Sequence, residues 1–229
     1  MTTISANLQA VIARIDAAAR RFGRNPDGIS LLAVSKTWPA SDVREAAQAG
    51  QGSFGENYVQ EGVSKAEALA SLGLDWHFIG PLQSNKTRTV AETFGWVHSV
   101  DRLKIAERLS EQRPDGLPAL QVCIQVNVSG EQTKSGVSPD EIATLAQRVA
   151  ELPRIRLRGL MAIPEPVDDF ALQRAAFRRL REAFEQLNKE GLPLDTLSMG
   201  MSHDLEAAIA EGATMVRVGT AIFGERSKV

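Results

Sequence analysis

Short apolar runs and amphipathic stretches alternate along this chain almost from end to end. The first stretch, Thr3 to Phe22, places Ile4, Leu8, Ile12, Ile15 and Ala19 at helical spacing. Gly23 ends it, as a glycine past a helix terminus does. Strands are then predicted at Ser30–Val34, Ser53–Gly55, Trp76–Ile79, Trp96–Val100, Leu120–Val126, Leu157–Met161, Thr196–Ser198 and Met215–Val218. Helical patterns lie between them at Ala40–Ala49, Tyr58–Ser71, Ser84–Thr93, Arg102–Glu111, Pro139–Glu151, Asp168–Asn188 and Asp204–Glu211. The strand runs are short, apolar and not alternating, as in sheets buried on both faces.

Eightfold strand–helix alternation in 229 residues fits a single (β/α)8 TIM barrel, an α/β fold, with an extra N-terminal helix. A doubly wound open sheet is the alternative, and it usually uses fewer strands. No Pro/Gly/Ser-rich linker divides the chain, so residues 1–229 read as one domain.

In such barrels the chemistry gathers at the C-terminal ends of the strands. The strand ends here are Lys36, Glu56-Asn57, Gly80, Ser99–Asp101, Asn127, Met161-Ala162, Ser198–Gly200 and Arg217–Thr220. Lys36 follows the buried run Ile29–Val34 directly. A partly desolvated amine there has a lowered pKa and acts as a nucleophile, the property a Schiff base with an aldehyde requires. A solvated loop lysine is the plain alternative.

Strand seven leads into Ser198-Met199-Gly200-Met201-Ser202-His203-Asp204, and strand eight into Gly219-Thr220. Barrels often bind phosphate on the loops after these two strands. Glycines admit close backbone approach, N–H groups at a helix start face the anion, and hydroxyls add bonds. Ser202 is either such a donor or the helix N-cap, a job for which Asp204 competes. Arg217 stands inside the apolar run Met215–Val218, where an unpaired guanidinium is costly, so it needs an acceptor in the barrel mouth. A strand-one lysine beside a strand-seven/eight phosphate site suggests pyridoxal 5'-phosphate as cofactor.

Composition narrows the class. Net charge is −2 with scattered positive charges, which gives no footprint for nucleic acid. Arg178, Arg179 and Arg181 form the densest basic cluster and read as a solvated helix face. Cys123, the single cysteine, reads as a buried packing residue. No metal-ligand spacing, signal peptide or membrane-spanning run is evident, so a cytoplasmic protein is expected.

The motifs Ala33–Thr37, Phe54–Glu61, Trp76–Lys86, Val126–Val128, Lys134–Gly136, Gly159–Met161, Leu197–Ser202 and Val216–Gly224 together resemble the YggS/PROSC family of pyridoxal phosphate homeostasis proteins. The resemblance covers nearly the whole chain. It implies a barrel like the N-terminal domain of alanine racemase (fold type III) and Lys36 as the cofactor lysine. It also implies Asn57 near the cofactor and phosphate held around Ser202, Gly219 and Thr220. The expected cofactor-binding set is Lys36, Asn57, Ser198, Gly200, Met201, Ser202, Arg217, Gly219 and Thr220. Whether Arg217 meets the ring nitrogen or the phosphate stays open. His203 departs from the family pattern and reads as a variable helix-start residue.

Two functions remain: a carrier that buffers or delivers pyridoxal phosphate, and an amino-acid racemase. Racemisation needs a base on each face of the cofactor. The second base of alanine racemases comes from a C-terminal domain for which this chain leaves no room. The only tyrosine, Tyr58, reads as a packing residue, and His77 as a core histidine. A cofactor left open to solvent suits exchange better than turnover. The expectation is a non-enzymatic monomer that passes pyridoxal phosphate to apo-enzymes. Lys134, in the polar loop after strand five, is a candidate for capping the pocket, against a plain solvated lysine.

Overall fold

The computed structural model describes residues 3–129 and 135–225. Eight strands close in sequence order into an all-parallel barrel. They are β1 (Ser30–Val34), β2 (Ser53–Glu56), β3 (Asp75–Phe78), β4 (Trp96–Val100), β5 (Leu120–Gln125), β6 (Ile155–Met161), β7 (Thr196–Ser198) and β8 (Met215–Val218). The helices outside them are α1 (Ile4–Arg21), α2 (Ala40–Gln48), α3 (Val59–Ala68), α4 (Thr87–Thr93), α5 (Leu103–Gln112), α6 (Ile142–Ala150), α7 (Phe170–Lys189), α8 (Leu205–Ala210) and α9 (Thr220–Phe223). The predicted alternation matches, apart from strand ends moved by a residue or two and the short α9, which four residues cannot signal by periodicity. Among the described residues no helix is long and apolar enough to cross a membrane.

Closure comes from β8 pairing with β1, Leu32 beside Arg217 and Ala33 beside Val218. Alternation along each strand splits the apolar residues into two sets. Leu32, Val34, Ile79 and Met215 form a small cluster inside the barrel. Ala33, Phe54, Phe78, Val97, Val216 and Val218 belong to the larger core beneath the helices.

The extra helix α1 packs on the far end of the chain. Arg14 pairs with Glu206 of α8 (Nε to Oε1, 2.5 Å) and donates to the carbonyl of Ser202 at 2.7 Å. Asn7 Nδ2 donates to the carbonyl of Ile222 in α9 at 2.9 Å. The helix therefore braces both segments that follow the strand-seven and strand-eight loops.

The basic face of α7 differs from its sequence reading. Arg174, Arg178 and Arg181, half-exposed, all reach Glu211, whose side chain is fully enclosed. Arg179 donates to the carbonyl of Val128. The sequence separation between α7 and Glu211 conceals this pairing. Burial pushes the Glu211 carboxyl up, but the bonds and charges of Arg178 and Arg174 outweigh that and hold it below the usual range. A depressed carboxyl contributes stability that is present above its unfolded value of about 4.3 and lost as pH falls through the folded value. Glu211→Gln is expected to cost about 2 kcal/mol at pH 7, since one partner of an enclosed charge cluster is removed while its arginines stay partly hydrated. Urea titrations at a series of pH values check this. The gap between wild type and variant should be constant above pH ~5 and close on further acidification.

Candidate binding site at the barrel mouth

Site residues are set by how β1 and β8 end. Leu32 and Val34 face inward, and the ladder continues as the Ser35 N–H donates to the Gly55 carbonyl at 3.1 Å. Lys36, half-buried, follows in the turn just past the C-terminal end of β1. Thr37 follows at φ 69°, a left-handed conformation uncommon for a β-branched residue. Its N–H donates to Glu61 Oε1. Glu61 is held in turn by Lys65 at 2.7 Å, and Lys65 also donates to the Ser35 carbonyl and to Glu56 Oε1, each at 2.7 Å. A buried ionic clamp thus fixes the turn that carries Lys36. Glu56 belongs to this clamp behind the strands, with Ser35 Oγ donating to it at 2.6 Å. Burial raises its pKa against the opposing bonds from Lys65 and Ser35.

Arg217 is enclosed inside the barrel. Its Nη1 donates to Ser198 Oγ at 2.8 Å and its Nη2 to the Ala162 carbonyl at 2.9 Å. Among the described residues no carboxylate pairs with it. Burial lowers the guanidinium to about 10, with Asp204 nearby acting the other way. It stays charged at neutral pH, a buried cation whose two bonds go to neutral acceptors. Ser198 is thereby committed as the mount for Arg217 rather than a hydroxyl offered to the mouth.

The two glycine loops form the adjoining wall. Gly200 has φ 94°, and a Cβ on it would come within 2.5 Å of Ala208 Cβ, so its loop lies against α8. A Cβ on Gly219 would stand 2.9 Å from the Val34 carbonyl oxygen, which keeps the β8 end tight against the β1 end. Asp204 sits at the N-cap position of α8 without capping through its side chain; its Oδ1 accepts from the Met201 N–H at 2.6 Å. Ser202 is half-buried and Thr220 exposed, both at helix starts where first-turn N–H groups lack intrahelical acceptors.

A mouth cavity of about 360 Å³ is lined by Asn57, Ile79, Pro81, Gln125, Ser135, Ile163, Pro164, Pro166 and Met201. Asn57 Oδ1 is buried without a hydrogen-bond partner. Such an orphan acceptor is costly unless a donor arrives. Of the predicted set, Asn57 and Met201 line this hollow; Lys36, Gly200, Ser202, Gly219 and Thr220 follow the C-terminal ends of β1, β7 and β8 and are not among its lining residues, while Ser198 and Arg217 are enclosed on β7 and β8. His203 points away, 3.2 Å from Asp168 at the surface. Lys134 lies outside the described residues. Tyr58 is mostly exposed and lines a neighbouring hollow with Gln83 and Lys86. Cys123 is buried, its thiol pushed up to about 12 by burial. Among the described residues no cluster is placed to hold a metal ion.

Sequence reasoning missed the Glu61–Lys65 clamp and Arg14. The spacing Glu61/Lys65 at i, i+4 was a signal for the first. Arg14 carried none, because its targets lie at the other end of the chain.

The family model "Alanine racemase, N-terminal domain" matches residues 6–227. The pyridoxal phosphate homeostasis protein of Pseudomonas aeruginosa is 64% identical over 226 residues, covering 99% of this chain and 97% of its own length. The crystal structure of an unknown protein from Bifidobacterium adolescentis superposes with a TM-score of 0.90 at 38% identity, covering 96% of this chain and 94% of that one. PipY of Synechococcus elongatus, solved with PLP bound, gives a TM-score of 0.81 at 40% identity, covering 93% of this chain and 100% of its own. Alike in sequence over nearly its full length and in barrel architecture, the chain belongs to the YggS/PROSC family of pyridoxal phosphate homeostasis proteins, built on the alanine racemase N-terminal domain.

Proposed function

We propose that this chain is a single-domain carrier of pyridoxal 5'-phosphate, which it holds at the barrel mouth for intracellular cofactor homeostasis rather than for turnover. The observation that carries the reading is Arg217, a buried cation with no carboxylate partner among the described residues, in a barrel whose first strand also leads to an amine at Lys36. The residues fit the group. A phosphate anion suits the Gly200–Ser202 and Gly219-Thr220 loops, and the Asn57 Oδ1 orphan suits a ligand donor. When bound, pyridoxal phosphate supplies an aldehyde. The Lys36 amine condenses with it to a Schiff base and releases one water.

Two groups in the sequence offered a second base for racemisation. Tyr58 is mostly exposed and lines a neighbouring hollow that shares Asn57 and Pro81 with the mouth cavity. His77 is enclosed within the barrel and bonded on both ring nitrogens. The enclosure of His77 and its two ring bonds support a carrier over a racemase. The site opens toward solvent at the strand ends, where exchange with apo-enzymes is geometrically simple. A cytoplasmic, monomeric protein completes the reading.

The test is a titration of cofactor-free protein with pyridoxal phosphate, followed by borohydride reduction and peptide mapping. One equivalent bound and a reduced adduct on Lys36 are expected. An adduct elsewhere would remove the anchor. Racemisation or decarboxylation across an amino-acid panel, abolished in Lys36→Ala, would replace the carrier with an enzyme.

A further inference from the structure

The middle of a parallel barrel is ordinarily filled by branched apolar side chains. Here a string of polar groups crosses it. Asp75 opens β3 at the closed, N-terminal face, its side chain about half exposed. Its Oδ2 lies 3.0 Å from His77 Nε2, and His77 Nδ1 lies 2.9 Å from His98 Nε2. His98 Nδ1 lies 2.8 Å from Ser198 Oγ, the atom that accepts from Arg217. The string therefore begins at a hollow of about 370 Å³ on the closed face, lined by Asp75, Trp96 and Gln121, and ends at Arg217.

The two ends fix its polarity. A guanidinium only donates and a carboxylate only accepts. With both rings neutral, one arrangement satisfies every group. Ser198 Oγ–H donates to His98 Nδ1, His98 Nε2–H donates to His77 Nδ1, and His77 Nε2–H donates to Asp75. Burial first, then His77 and Arg217, hold the His98 pKa well below the usual imidazole range, so that ring is neutral. The reverse arrangement would put protons on both nitrogens of His77 and turn the Ser198 hydroxyl away from His98. Trp96 stacks on His77 with ring centroids 5.2 Å apart, and Arg158 covers the far side of that stack at 4.8 Å from the Trp96 ring.

We propose that Asp75, His77 and His98 are positioning residues for Arg217, forming a relay of fixed hydrogen-bond polarity that sets how Arg217 meets the group bound in the mouth. The proposal rests on the reading that the mouth binds pyridoxal phosphate. It makes cofactor affinity depend on a carboxylate at the opposite face of the barrel.

Two measurements test it. Long-range ¹H–¹⁵N correlation spectra of cofactor-free protein read the tautomers directly. Nε2–H on both His77 and His98 is expected, with both ring signals shifted in Asp75→Ala. Pyridoxal phosphate titrations should show affinity reduced about tenfold in Asp75→Ala, within the coupling usual for members of one hydrogen-bond network. Asp75→Asn keeps an acceptor for His77 and should restore it. Asp75 is half-exposed, so its variants fold more safely than His98→Leu, which should weaken binding at least as much. An Nδ1–H tautomer at His98, or an imidazolium at His77, would overturn the relay. So would unchanged affinity in Asp75→Ala while wild type binds normally. A wild-type protein that bound no pyridoxal phosphate would instead refute the mouth reading, and the role given to Arg217 with it.

Discussion

Lys36→Ala is expected to lose the long-wavelength absorbance of the cofactor-loaded protein completely and to bind pyridoxal phosphate on the order of 100-fold more weakly. The non-covalent contacts survive in that variant. Arg217 stays held by Ser198 and the Ala162 carbonyl, and Met201 by Asp204. Residual binding should therefore be competed by inorganic phosphate and should leave no protein-linked adduct after borohydride, which then reduces only the free aldehyde. Adding methylamine should restore some of the colour, since it supplies the missing amine without the tether. Retention of the full visible spectrum in Lys36→Ala would place the covalent anchor on another residue.

The second large effect concerns stability. A Cβ on Gly159 would sit 1.8 Å from the Thr196 carbonyl oxygen and 2.7 Å from its carbon. Gly159 and Thr196 are register partners between β6 and β7. The obstacle is backbone within the ladder, not the end of a flexible side chain. Gly159→Ala must push apart neighbouring strands of a closed barrel, and about 4 kcal/mol of destabilisation is expected. Urea unfolding should show a lower midpoint with an unchanged slope. Gly116→Ala is the matching control, because nothing lies within 4 Å of a Cβ there and the change should be neutral. Equal midpoints for the two variants would mean that the β6–β7 contact can relax.

Much of this was legible from local pattern. Apolar runs of strand length mark most of the strands, because a buried parallel sheet demands them, while β2 (Ser-Phe-Gly-Glu) and β7 (Thr-Leu-Ser) carry little apolar content of their own. Lys36 and Arg217 stood out because each interrupts or ends such a run. What stayed hidden depends on closure of the ring. Ser198 was placed in the cofactor-binding set, yet its hydroxyl lies between Arg217 and His98, an arrangement visible only once β4, β7 and β8 surround a common axis. His98 sat unremarked within Trp96–Val100, although a polar residue at an inward position of a buried strand was available as a signal. The α7 arginines are spaced at i, i+4 and i+7, which does mark a face. Nothing local named Glu211 as the reason for it.

The brace formed by α1 also orders events in time. Its partners, Ser202, Glu206 and Ile222, lie 188, 192 and 215 residues downstream. Contacts of that separation are slow to close, and synthesis proceeds at roughly 5–20 residues per second. The first helix made can pack early on α2, but the part of its face that meets α8 and α9 must wait until almost the whole chain has left the ribosome. The loops it steadies cannot settle earlier. Premature termination should leave exposed hydrophobic surface for chaperones or proteases to recognise, and a barrel with its full cofactor rim is one whose synthesis has run nearly to completion.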